Sequence, residues 1–176
     1  MEQHSALTQA LLADGPAADR ATKMMLYGQF VGSWDGKVVV HNNDGSRRES
    51  SCEVHFGWAL AGRAIQDVWI APARKGGPAS EPDRMYGTTL RVYDSENDVW
   101  HITWIDPVKR AFNRMTGRKV GDNIVQEYRN EQGIRHQWLF TEITADSFHW
   151  IARDSADEGQ SWVVRGEFFL RRARAA

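Results

Sequence analysis

The chain of 176 residues contains a single cysteine, Cys52, and only five prolines. One thiol excludes an intrachain disulfide framework and any cysteine-based zinc site. Cys52 is therefore expected to pack as a small core residue. No apolar run reaches the roughly 20 residues that a membrane-spanning helix needs. Charge of one sign is also missing: the formal net charge is −1, so no basic field invites nucleic acid or anionic lipid. The arginines near the C-terminus, Arg171, Arg172 and Arg174, read as a solvated end. The first 16 residues lack a basic segment followed by a long apolar core, so no secretory signal is expected and the location is read as cytoplasmic.

Chemical motifs are scarce as well. There is no His-x-His, no inward cluster of histidine with carboxylates, and no Gly-x-Ser-x-Gly. Gly76-Gly77 follows no strand-to-helix pattern, so it is not a phosphate loop or a dinucleotide fingerprint. No metal and no cofactor are expected.

Tryptophan is abundant, with eight in the chain. Each brings a large apolar area and one N–H that wants a partner. So many suggest an interior built from flat rings. Two helices are predicted first, over 5–13 and 18–30, separated by Gly15-Pro16. After Gly32 the apolar period changes to two. Strands are predicted near 33–42, 46–58, 63–72, 85–94, 98–106, 111–120, 123–130, 134–143, 147–155 and 160–172. Nearly all the intervening turns are of hairpin length, which predicts antiparallel neighbours; residues 73–84 form one long loop. A meander of about ten strands curls, and closure removes its two edges. The expected fold is all-β: a closed antiparallel barrel, one domain, with helices 1–31 plugging one end of a barrel over 32–172.

Turn geometry also predicts which side chains face inward. Three-residue loops at Glu131-Gln132-Gly133 and Thr144-Ala145-Asp146 set Tyr128 opposite His136, Gln126 opposite Trp138, Phe140 opposite Trp150 and His136 opposite Asp154. A two-residue turn at Gly121-Asp122 sets Gly117 opposite Gln126, and Trp104 falls opposite Asn113. The same reasoning turns Met115, Gln66, Val68, Ile70, Tyr86, Thr88, Leu90 and Val92 inward, and puts Arg91, Arg135, Arg153 and other charges outside. Seven tryptophans then point in and only Trp69 points out. Such rings either fill the core or line a cavity, and barrels of this size do both.

The stretches Gly32-Ser33-Trp34, Gly62–Trp69, Tyr86–Asp94, Trp100–Pro107 and Asp157–Trp162 resemble lipocalin-like (calycin) barrels, in particular the uncharacterised bacterial DUF1579 type. The resemblance covers about residues 28–172 and implies a fold; it carries over no catalytic residue.

The expected ligand is a small apolar or aromatic molecule, contacted by Tyr86, Thr88, Trp104, Asn113, Met115, Gln126, Trp138, Trp150 and Gln66. A homodimer is compatible with the sequence. The alternative is a cofactor-free enzyme of the cyclase, isomerase or lyase kind, with His136 as acid or base and Tyr128 and Asp154 assisting. Against this, His136 could be a structural histidine in a buried polar network. Some lipocalin-like barrels bind haem through one histidine, so haem on His136 is a third reading.

Overall fold

A computed structural model describes residues 6–74 and 84–173. The chain opens with helix α1 (Ala6–Leu11), a two-residue strand β1 (Leu12–Ala13), a single 3₁₀ turn and helix α2 (Ala21–Gly28). Ten longer strands follow: β2 (Gly32–His41), β3 (Arg47–Ala59), β4 (Ala64–Ala71), β5 (Met85–Asp94), β6 (Val99–Asp106), β7 (Ala111–Val120), β8 (Asn123–Arg129), β9 (Arg135–Thr141), β10 (Ser147–Ser155) and β11 (Val163–Arg172). Each pairs antiparallel with the next, and β11 returns to β2, so the ring closes. Strand β1 adds a short rung to β3. Among the described residues no helix is long and apolar enough to cross a membrane.

Helix α2 plugs one end. Its Met24 and Tyr27, with Phe30 just beyond, are sealed from solvent. Phe30 packs on Phe140 and Phe148 with ring centroids 4.8 and 4.9 Å apart, and Trp34 donates its indole N–H to the Phe30 carbonyl at 2.7 Å. Helix α1 buries nothing.

From β6 to β10 the registers follow the turns. Trp104 pairs with Asn113, Trp100 with Gly117, Gly117 with Gln126, Gln126 with Trp138, Tyr128 with His136, Phe140 with Trp150 and His136 with Asp154. Gly133 takes the positive φ of +79° that its loop requires. The space opposite Trp100 at Gly117 is occupied by the Tyr27 hydroxyl and Ile102.

Strands β4 and β5 are the correction. Trp58 pairs with Ile65, so Ile65, Asp67 and Trp69 face in, and Gln66 and Val68 face out. The β5–β6 loop has four residues, Ser95–Asp98, not three: Asp94 pairs with Val99, and Asp98 adopts a left-handed φ of +49°. That extra residue turns Gly87, Thr89, Arg91 and Tyr93 inward and puts Tyr86, Thr88 and Val92 outside. Keeping charges in solvent would give the opposite faces. The protein instead buries two opposite charges together: Asp67 is 0% exposed and Arg91 1%.

The tryptophans need a second correction. Trp69 is inside, 4% exposed. A bulge between Ala152 and Arg153 shifts β11 so that Trp150 pairs with Phe168 and Asp154 with Val163. Trp162 therefore lies outside the barrel, beneath the guanidinium of Arg153 at 4.4 Å and beside that of Arg135 at 5.7 Å. Burial and neighbouring Arg135 lower the pKa of Arg153. Cys52 is buried in the core as expected, and burial pushes its thiol up to about 12.

Candidate functional site

The barrel interior has three levels. At the plugged end Tyr27 of α2 meets Trp100 edge-on at 4.8 Å and Phe140 at 6.0 Å. Above them lies the buried polar layer. Arg91 Nε donates to Gln126 Oε1 at 3.0 Å, and a terminal nitrogen of Arg91 pairs with Asp67. Asp67 also accepts the Thr89 backbone N–H at 3.0 Å. Arg91 sits over the Tyr27 ring at 4.9 Å, and burial drives the Tyr27 pKa upward. Gln126 Nε2 is buried without a partner among the described residues.

The third level is a cavity of about 100 Å³, lined by Trp69, Met85, Thr89, Arg91, Trp104, Trp138, Trp150 and Phe168. The indoles meet mostly edge to face: Trp104 and Trp138 at 5.9 Å, Trp138 and Trp150 at 5.3 Å. Trp69 and Trp150 lie 5.4 Å apart, tilted, and Trp69 stands on the edge of Phe168 at 5.0 Å. Gly87 makes room for one ring, since a Cβ there would lie 2.3 Å from Trp104 Cη2.

Of the expected ligand contacts, Trp104, Trp138 and Trp150 line the cavity. Asn113, Met115 and Gln126 share the inner face of their strands without lining it. Gln66, Tyr86 and Thr88 are on the outer face, where Gln66 Nε2 donates to Thr88 Oγ1 at 3.1 Å; they leave the site. Sequence reasoning missed Trp69, Met85, Thr89, Arg91 and Phe168. One signal was present: Asp67 and Trp69 are in phase on β4, Arg91 and Tyr93 on β5, so aromatics and opposite charges share one face.

Toward the other end, two residues along β9 from Trp138 (about 7 Å at the usual rise per residue), lies the polar cluster around His136. Its Nδ1 is 2.7 Å from Asp154 Oδ1, and its ring stacks on Tyr128 at 4.6 Å and 14°. Asp154 Oδ2 accepts Arg165 Nε at 2.9 Å, and Arg165 reaches Asn43 at 2.6 Å. Burial, then the Asp154 carboxylate, raises the Tyr128 pKa. A carboxylate on Nδ1 fixes the tautomer and leaves Nε2 as the exchangeable position. None of the three residues lines the cavity.

The chain matches solved structures at low identity. Over 93% of its length, and 99% of the other chain, it is similar to Rv2717c from M. tuberculosis, with 15% identity and a TM-score of 0.59. Over 92% of its length, and all of the other chain, it is similar to the S-type phycobiliprotein lyase CPES from Guillardia theta, with 13% identity and a TM-score of 0.56. At these identities the likeness is one of fold: the lipocalin-like barrel. No family profile matches the chain, and no curated protein does.

Proposed function

We propose that this barrel binds a small aromatic molecule in the tryptophan-lined cavity. The observation that carries the reading is the cavity wall: four indoles and Phe168 around unfilled space inside the barrel. A dry apolar cavity of about 150 Å³ takes a benzene ring, so at about 100 Å³ this one admits a single substituted ring as its side chains yield. Haem, with four pyrrole rings, does not match the interior as packed. The motif stretches quoted above support a kinship with DUF1579-type barrels. Titrating the protein with single-ring aromatics while following tryptophan emission tests the reading. Saturable quenching or a wavelength shift supports it; no response across the panel means the rings only fill the core.

A second reading is favoured by the His136–Asp154 pair: a cofactor-free enzyme of lyase, isomerase or cyclase type, acting by proton transfer on a molecule that extends from the cavity to His136 Nε2. His136 would be the acid or base through Nε2, with Asp154 and Tyr128 as its positioning residues. The similar Guillardia theta chain is a lyase by name.

A further inference from the structure

Resting on the reading of the cavity as a ligand site, we infer that its occupant is a neutral single-ring aromatic bearing one hydrogen-bond acceptor, such as an aldehyde, ketone or amide, held by Arg91. Among the described residues that line the cavity, Arg91 is the one charged side chain, Thr89 carries a hydroxyl, and the rest are aromatic rings and Met85. A guanidinium carries five N–H groups, and Gln126 and Asp67 take two of them. Gln126 presents its Oε1 to Arg91, so its amide orientation is set and Nε2, a second donor, stays buried beside it without a partner. Gln126 does not line the cavity, so the donors a ligand can meet there are those that remain on Arg91.

Asp67 decides the charge of the ligand. Its carboxylate is sealed from solvent and already neutralises Arg91. A carboxylate ligand would place a second anion on the same guanidinium, in a medium where charges are poorly screened. It would also leave its own hydration shell without gaining an uncompensated cation. A carbonyl oxygen accepts from the same donors and brings no net charge. An unsubstituted hydrocarbon fills the space but leaves the donors unanswered.

Three ligands of similar size separate these cases: acetophenone, ethylbenzene and benzoate. Calorimetry at neutral pH gives the affinities, and the indole N–H resonances of Trp69, Trp104, Trp138 and Trp150 locate the bound ring. Acetophenone is expected to bind about tenfold or more tightly than ethylbenzene, the usual gain for a hydrogen bond to a charged donor. Benzoate should be weaker than acetophenone by at least about tenfold. In Asp67→Asn the neutralising charge is gone, and benzoate should overtake acetophenone. If Asp67→Asn does not fold, the three wild-type affinities decide alone. Acetophenone no tighter than ethylbenzene, with both seated among the indoles, overturns the role of Arg91 while leaving the cavity a ligand site. Benzoate binding as tightly as acetophenone overturns the neutral class. If none of the three binds, the ligand cavity itself falls and this inference with it.

Discussion

Asp67 and Arg91 form an ion pair inside the barrel, diagonal to each other on β4 and β5, with almost no contact with water. Such a pair is weak evidence for stability, because desolvating two charges offsets much of their attraction. Removing one partner is different, since it strands the other. Arg91→Met is expected to cost about 3–5 kcal/mol in chemical denaturation. The double variant Arg91→Met/Asp67→Leu should recover a large part of that loss. A double variant as unstable as the single one would show that Arg91 contributes through its packing on Tyr27, Phe56 and Phe140, and not through its charge partner.

This pair also marks where the sequence stops being readable. Strands β6 to β10 are joined by turns whose length sets the register, and alternation carries that register along each strand. The placements of Trp104, Trp138, Phe140, Trp150 and His136 follow from those two facts alone. Strands β4 and β5 break the rule that charges face water, and the shared phase of Asp67 with Trp69 and of Arg91 with Tyr93 is outweighed by that rule when the sequence is read alone. The four-residue loop ending at Asp98 has the same compositional signature as a three-residue one. Trp162 is displaced by a bulge at Ala152 and Arg153, which no single residue announces. The fold was thus legible almost throughout, and the cavity wall only on the β6–β10 side.

Gly87 should tolerate no side chain. Its φ is not positive, so the constraint is space: a Cβ would lie 2.3 Å from Trp104 Cη2, 2.4 Å from Cζ2 and 2.9 Å from the Ile105 carbonyl. The indole could swing into the cavity, but the carbonyl belongs to the paired strand. Gly87→Ala is expected to destabilise the barrel by about 1–3 kcal/mol, the usual range for overpacking. It should also change tryptophan emission through Trp104. Unchanged stability and emission would mean that Trp104 is free to move and that the cavity wall is soft on this side.

Acid should weaken the barrel in a defined range. Asp157 accepts Ser161 Oγ at 2.6 Å, the Ser161 N–H at 2.9 Å and Ser155 Oγ at 2.7 Å, which lowers its pKa from 3.8 to about 2. Asp94 is lowered to about 2 by Asn97, His101 and backbone N–H groups. A depressed carboxylate contributes its stability fully above the unfolded pKa and loses it as pH falls through the folded one. The denaturation midpoint should therefore drop as pH falls from 3.8 to about 2. Asp157→Asn should flatten that slope. An unchanged slope would show that the β10–β11 turn keeps its form without the Asp157 charge.

His136 separates the two functional readings. It sits above the cavity without lining it, so its side chain can be removed without touching the apolar wall. The ring is held by Asp154 through Nδ1 and by stacking on Tyr128, and these contacts orient Nε2. If the barrel only binds, His136→Ala should leave the affinity for a single-ring aromatic within about twofold, since no contact to the ligand is lost. In the enzyme reading the substrate reaches from the cavity to Nε2, and its turnover falls by at least about 100-fold, the lower end of what general acid–base catalysis supplies. His136→Gln should not restore it, because an amide keeps the shape and a hydrogen bond but cannot exchange a proton at neutral pH. Asp154→Asn should lower turnover less than His136→Ala, by allowing the wrong tautomer without removing the ring. Circular dichroism must report an intact barrel in all three variants. Full turnover in a folded His136→Ala protein would remove the histidine from the chemistry and leave a structural ring at the barrel mouth.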